Sequence, residues 1–357
     1  MKTFVRHAVA LLAVTVVCQG SLVLAEDYYW VTGGGQAATS ANDEKVAKPA
    51  QSDCAACDPA SCCPEESCGC GSCCPGLGLG CDAYPPRGIV GFAGFDSFKG
   101  VSDGTFQSNF GAVAGVNSAL GLGNRGIGWQ LGVSYGVYDF DGRSTLNQAT
   151  SQQQIFVTTG FFRKARGDQR LSFGIVYDWM CNDQWGIYAT SPTLGQWRGQ
   201  VEWATSGSNA FGMYGCVRDL ASAQAFQGAV VQTRGISQVN LFWHHKFEMG
   251  AHSHVWVGGV QTDRLNGQGS LGDAVIGASF EVPVSDRLAL YGNAQYMHPS
   301  AVAGTVAAVE EGYNVGMGLA WYFGGHARSN RINGKCGLPY MPVANNSTFM
   351  VDQNLTQ

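Results

Sequence analysis

The chain carries little charge and shows no basic stripe. Asp, Glu, Lys and Arg make up 13% of its 357 residues, about half of the share that soluble globular proteins carry. This composition excludes a coiled coil, which needs about half of its residues to be Ala, Glu, Lys, Leu and Arg. The net charge is −5. Nucleic acid is therefore excluded as a partner, because its phosphates need basic side chains to neutralise them.

Glycine and aromatic residues are abundant instead. The chain has 50 Gly, 18 Phe, 13 Tyr and 9 Trp. So many aromatic residues exclude a disordered chain, which cannot bury them. No stretch reaches 18 apolar residues, about the length that a membrane-spanning helix needs, and we therefore expect no transmembrane helix in the mature chain.

Residues 1–25 have the organisation of a secretory signal peptide. Lys2 and Arg6 precede a short apolar run, and Ala25 closes a small-residue cleavage pattern. A membrane anchor is the first alternative, but the run is shorter than the roughly 20 residues needed. A lipoprotein signal is the second alternative, but it needs a small residue directly before the cysteine, and Val17 precedes Cys18 here. The sequence predicts an exported protein.

A polar spacer (26–53) and a cysteine-rich segment (54–86) follow. The cysteine-rich segment has few apolar residues to bury, and disulfides are the usual substitute in an oxidising compartment. Metal binding and free thiols are the alternatives. Nine cysteines lie between 54 and 81, and a tenth partner would be Cys336 or a cysteine of another molecule or of the cell wall, which would make the segment a crosslinker. The disulfide candidates are Cys54, Cys57, Cys62, Cys63, Cys68, Cys70, Cys73, Cys74, Cys81 and Cys336.

Residues 87–324 show repeated alternation of apolar with small or polar residues. From Ile127 to Val137 every second residue is apolar. A strand places such residues on one face, whereas a helix would scatter them. Two weakly patterned spans leave the count between ten and fourteen. We predict twelve strands, at 89–99, 109–121, 126–140, 153–165, 170–182, 196–205, 209–219, 236–248, 253–264, 272–283, 287–298 and 312–323.

The lengths of the connections and the composition of the two strand faces indicate a barrel in a membrane. Short and long connections alternate along the chain, as in up-and-down barrels with one rim in the periplasm and the other outside. One face of each strand is apolar and the other is mostly Gly, Ser, Ala, Asn and Gln. An apolar face in lipid is consistent with closure, which satisfies every backbone polar group. We expect two outward Trp girdles, with Trp129, Trp256 and Trp321 at the short-turn rim and Trp179, Trp185 and Trp197 at the other.

With these features the chain resembles the outer-membrane β-barrel proteins of diderm bacteria, and its Cys-Pro-Gly lead resembles that of planctomycete-type barrels. The segment from Gly318 to Phe323 is similar to the aromatic-ended last strand of such barrels. The resemblance implies an all-β, closed antiparallel transmembrane barrel of porin-like type in the outer membrane. A tail (325–357) follows that strand, and an even strand count places it in the periplasm with the N-terminal segment.

The polar face predicts a lumen rather than a catalytic site. We expect it to be lined by Gln130, Arg198, Gln200, Glu202, Gln238, Asn240, Asn293 and Gln295. These residues either line an open passage or form a network that fills the barrel. No nucleophile–base run is present, and His252 and His254 have no carboxylate or Cys nearby in sequence. We therefore predict no catalytic residues, no cofactor and no metal site.

The favoured function is a weakly selective outer-membrane channel for small hydrophilic solutes. The first alternative is a structural outer-membrane protein tethered to the cell wall or to neighbours through its cysteines, and the second is a lipid-active barrel enzyme.

Overall fold

A computed structural model describes residues 88–100, 108–122, 127–140, 151–165, 169–260, 272, 274–298, 311–323, 327–329 and 338–356. These residues belong to one of the two compact units of the chain. The predicted signal peptide, spacer and cysteine-rich segment, and Cys336, lie outside the described residues. They stay predictions.

Fifteen strands are described, and twelve of them close into one antiparallel barrel. The predicted fold class is confirmed, and no predicted strand boundary is off by more than four residues. The barrel order is β1-β2-β3-β4-β5-β6-β7-β10-β11-β12-β13-β14, with β14 paired back to β1. The strands are β1 (Ile89–Lys99), β2 (Asn109–Gly121), β3 (Ile127–Tyr138), β4 (Gln152–Arg163), β5 (Leu171–Asp183), β6 (Thr193–Ala204), β7 (Asn209–Arg218), β8 (Ser222–Phe226), β9 (Ala229–Gly235), β10 (Gln238–Lys246), β11 (His252–Val260), β12 (Ala274–Pro283), β13 (Leu288–His298), β14 (Gly312–Phe323) and β15 (Val351–Thr356).

Closure depends on the first and last barrel strands. Eleven residue pairs join β1 to β14, from Ile89 opposite Phe323 to Lys99 opposite Tyr313. No barrel strand is left with an unpaired edge, so the backbone groups of the wall are satisfied within the wall. The wall is thus complete without the C-terminal residues.

The large apolar side chains of the strands face outward. Phe95 and Leu241 are each 62% exposed, Ile276 is 54% exposed and Val315 is 53% exposed. They lie on four different strands around the barrel, so the exposed apolar surface forms a band. Monomeric soluble proteins rarely expose continuous apolar patches above about 600 Å². The predicted outward apolar face is present.

The Trp side chains match the expected girdles in part. Trp197 and Trp321 are about half exposed, as expected, whereas Trp185 and Trp256 are buried. The indole of Trp256 donates to Gln295 Oε1 inside the barrel, at 3.0 Å. The girdle positions predicted for Trp185 and Trp256 are therefore wrong, since both side chains point inward.

The two ends of the barrel differ in their connections. We call the end with the turns 205–208, 247–251 and 284–287 the tight-turn end, and the opposite end the long-loop end. At the long-loop end, residues predicted as a loop form the hairpin β8–β9, and β15 adds to β9 as a third strand. The hairpin turn has positive φ at both Gln227 (47°) and Gly228 (86°), as type I′ turns require.

Helices contribute little to the described fold. A short 3-10 helix spans Ala327–Ser329. Among the described residues, no helix has the length and apolarity that crossing a membrane would require.

Candidate functional site

The lumen is occupied by the chain's own C-terminal residues. We call residues 338–350 the plug segment. It begins at the tight-turn end, where Leu338 packs in a cluster with Ala320. It finishes at the long-loop end, where Phe349 packs with Trp185. The prediction that the tail lies in the periplasm is wrong for these residues, because they run through the barrel.

The polar residues predicted for the lumen lie inside it. Six of the eight are buried, while Gln200 and Asn293 are half-buried. Asn240 donates to Gln238 Oε1, and Glu202 Oε1 lies 3.1 Å from His244 Nδ1. The six that hydrogen-bond to the plug segment are Gln130, Arg198, Gln200, Gln238, Asn293 and Gln295.

Gln130 on β3 binds the backbone of the plug segment from both ends of its amide. Its Oε1 accepts from the N–H of Tyr340 (3.2 Å) and the N–H of Met341 (3.0 Å), and its Nε2 donates to the Met341 carbonyl (2.9 Å). Asn117 donates to the same carbonyl at 3.0 Å. The wall thus supplies, through side chains, the hydrogen bonds that a neighbouring strand would supply to an extended backbone.

The buried ion pair of Arg198 and Asp178 binds the next residues of the plug segment. Arg198 on β6 bonds both carboxylate oxygens of Asp178 on β5, with Nε–Oδ2 at 2.8 Å and Nη2–Oδ1 at 3.1 Å. The same Nη2 donates to the carbonyl of Pro342 at 2.8 Å. Thr158 links the other side of this pair to the segment, since its hydroxyl donates to Asp178 and accepts from the Ala344 N–H. Buried charges need this degree of pairing to be tolerated.

A second polar cluster, with side chains from β1 and β4, holds Asn346. Its side-chain Nδ2 lies 3.0 Å from Asp96 Oδ2 on β1 and 3.0 Å from Gln154 Oε1 on β4. Asp96 also accepts from Tyr138 and from Asn314. A carboxylate that accepts several hydrogen bonds from neutral donors is well satisfied in a buried position.

Ser347 makes a third set of contacts. Its carbonyl accepts from Gln238 Nε2 at 3.1 Å and from Gln295 Nε2 at 2.6 Å. Its hydroxyl lies 2.9 Å from Asn293 Nδ2 and donates to Asn314. The predicted lumen residues of β10 and β13 thus meet on one residue of the plug segment.

Two inward glycines create room for the plug segment. A Cβ added at Gly132 would lie 2.5 Å from Val343 Cγ2, and one added at Gly174 would lie 2.9 Å from Tyr340 Cδ1. The small residues of the inner face are thus used at these positions for close packing. They do not leave empty space there.

The chain beyond the plug segment is anchored at the long-loop end. Six residues of β15 pair with β9, from Val351 opposite Gly235 to Thr356 opposite Val230. Asp352 pairs across the ladder with Arg234, at 3.4 Å between Nη2 and Oδ2. The plug segment is therefore held at its end as well as along its length.

A cavity of about 380 Å³ remains between the plug segment and the wall. Its lining includes His244, His252 and His254 near the tight-turn end, together with Glu202 and Glu281. The sequence shows two histidine clusters, His244-His245 and His252-Ser253-His254, and indicated only the His252 and His254 pair as candidate metal ligands. The carboxylates come from β6 and β12, so sequence proximity gave no sign of them.

The two cysteines within the described strands are not joined to each other. Cys216 is buried and has a free thiol. Cys181 lies on β5 and Cys216 on β7, two strands apart.

One family profile matches most of the chain. The profile described as "Family of unknown function (DUF6666)" matches residues 87–351. The match covers the whole barrel and the plug segment. A search of the curated proteins finds no match.

Solved structures with similar folds are outer-membrane barrels, at low identity. Outer membrane phospholipase A from Escherichia coli is 8% identical with a TM-score of 0.39, over 67% of this chain and 97% of that one. The β domain of the Bordetella autotransporter BrkA is 10% identical with a TM-score of 0.40, over 66% and 99%. The Pseudomonas putida toluene transporter TodX is 9% identical with a TM-score of 0.34, over 67% and 90%. Likenesses at this level carry no argument about function.

Proposed function

The chain belongs to the DUF6666 family of unknown function, and from the filled lumen of its barrel we propose that it is an outer-membrane β-barrel whose passage for small hydrophilic solutes is closed by its own C-terminal segment. The proposal has two parts, the membrane location and the closed passage. The membrane location rests on the exposed apolar side chains, and the closed passage rests on the contacts between the wall and the plug segment.

The outward apolar band supports the membrane location. Side chains such as Phe95 and Leu241, exposed on distant strands, would be costly in water and favourable against acyl chains. The barrel strands have 9 to 13 residues, which fits the roughly 9–11 needed to cross a bilayer at a tilt.

The relation between wall and plug segment supports the closed passage, and it is the observation that carries the proposal. The twelve strands close among themselves, while the plug segment is held by side chains of the lumen. Removing the segment would leave the wall complete. By strand number and tilt, the backbone cylinder is about 24 Å across, and its inner face carries amides, hydroxyls and the buried ion pair of Arg198 with Asp178.

Conductance across a planar bilayer tests the proposal. We expect the full chain to show no steady conductance, because the plug segment runs through the lumen from one end to the other. A chain ending at residue 337 should show stepwise openings, and a synthetic peptide of residues 338–357 should block them again. Folding of each chain is checked by heat-modifiable migration on a gel.

Two results would contradict the proposal. A truncated chain that folds but never conducts would show that the lumen is not a passage. A full chain that conducts as strongly as the truncated one would show that the plug segment does not close it.

A further inference from the structure

Three histidines meet on the inner face of the barrel near the tight-turn end. His244 lies on β10, and His252 and His254 lie on β11. His244 is directly opposite His254 in the β10–β11 register, and their rings stack with centroids 3.8 Å apart. The alternation of the strands points His245 to the other face, where it contacts Asn209.

The three imidazoles are close enough to bind one ion. One ring nitrogen from each lies within 4.8 Å of the others. Three points no more than this far apart lie within about 2.8 Å of a common centre, so ring shifts below about 1 Å would reach the Zn–N distance of about 2.0–2.1 Å. Rotation about the side-chain torsions is sufficient for such shifts.

Carboxylates occupy the positions expected around metal-binding histidines. His244 Nδ1 lies 3.1 Å from Glu202 Oε1, and small residues of β7 stand between their strands, Ala210 and Gly212. His252 Nε2 lies 3.8 Å from Glu281 Oε1. Metal-binding imidazoles usually donate their other ring N–H to such a carboxylate, which fixes the ring and raises its basicity as a ligand.

The remaining nitrogen of His244 has no partner within the described part of the chain. His244 is 7% exposed, and its Nε2 makes no hydrogen bond. A buried imidazole nitrogen without a partner is costly. An ion bound between the three rings would satisfy it.

The charges around the cluster favour a cation. Glu202 and Glu281 both line the cavity next to the three histidines. The Lys and Arg residues of its described lining are Lys164 and Arg198, of which Arg198 is paired with Asp178. Tyr340 of the plug segment lines the same cavity as Glu202. Tyr322 of β14 hydrogen-bonds with Glu281. The Glu281 carboxylate is therefore held in place by a neutral hydroxyl donor.

We propose that His244, His252 and His254 form a binding site for a divalent transition-metal ion, with Glu202 and Glu281 orienting the imidazoles. Imidazole ligands suit Zn²⁺, Cu²⁺ and Ni²⁺ rather than Mg²⁺ or Ca²⁺. Three histidines leave one position of a tetrahedral ion open for water or a solute. The site is independent of whether the barrel conducts.

Metal titration of the full chain tests the site. The folded protein in detergent is stripped with a chelator, and Zn²⁺ binding is measured by calorimetry and by metal content after gel filtration. We expect His254→Ala to lower affinity at least 100-fold and to remove one ion per chain. Glu202→Gln should lower affinity 10- to 100-fold, as substitution of an outer carboxylate does elsewhere.

His245→Ala is the matched control, because it removes the histidine next to His244 on β10, whose side chain lies on the opposite face of the wall. It should bind as the parent does. The cysteine-rich segment is common to all variants, so only the difference between them reports on the histidines. Co²⁺ provides a second readout, since the parent should show a visible band of an imidazole-bound ion that His254→Ala lacks.

Three results would overturn the proposal. The first is that the parent and His254→Ala bind the same number of ions with the same affinity. The second is that His245→Ala loses as much Zn²⁺ affinity as His254→Ala does. The third is that the parent retains no Zn²⁺ at all. If His254→Ala fails the heat-modifiability test for folding, His254→Gln takes its place with the same expected loss.

Discussion

The contacts of Gln130 allow the strength of the closed state to be tested by one substitution. Replacing Gln130 with Leu keeps the size of the side chain and removes its amide. The backbone N–H groups of Tyr340 and Met341 then lose their acceptor while the plug segment is docked. The Met341 carbonyl keeps its bond from Asn117.

The expected magnitude follows from these two groups. A buried donor left without a partner costs about 1–3 kcal/mol, so the docked state should lose about 2–6 kcal/mol relative to the undocked one, in which water satisfies both groups. Each 1.4 kcal/mol is a tenfold change. The ratio of undocked to docked segments should rise between about 30-fold and about 2 × 10⁴-fold.

Single-barrel recordings in a planar bilayer measure this ratio as open time against closed time. Gln153→Leu is the control, because Gln153 lies on the outer face of β4 and contacts Tyr135. It should leave the record unchanged. A folded Gln130→Leu barrel that stays as quiet as the parent would refute the role assigned to Gln130.

Two further substitutions probe the packing and the ion pair. Gly132→Val should destabilise the docked plug segment by about 1–3 kcal/mol, the usual cost of overpacking, since its Cβ would lie 2.5 Å from Val343 Cγ2. In the same recordings Gly199→Ala should leave the open time unchanged, because its Cβ meets nothing nearer than 3.9 Å. Equal effects of the two substitutions would contradict the packing argument. Arg198→Met should lower the free energy of unfolding in urea by about 3–5 kcal/mol, because it leaves Asp178 buried without its cation; a variant as stable as the parent would show that the pair is not needed.

The wall of the barrel was predictable because its signal is local. Alternation with period two is visible within each strand, and turn and loop lengths are read directly from the chain. Only the direction of single side chains failed, as for Trp256, whose inward position depends on a partner 39 residues away.

The plug segment was not predictable in this way. Its contacts join residues far apart in sequence, with 211 positions between Gln130 and Met341. Pro339 and Pro342 interrupt any strand pattern, so the local signal is that of a loop. The histidine cluster was missed for a related reason, because its carboxylates lie on other strands, Glu202 on β6 and Glu281 on β12, and only the pairing of the strands brings them near.

Hydrogen exchange of the C-terminal residues tests the central claim most directly. In the folded barrel, the amides of Met341 and Ala344, which are bonded to wall side chains, should exchange at least about 100-fold more slowly than in the free peptide. Exchange at the rate of the free peptide, while the strand amides stay protected, would show that the segment does not occupy the lumen.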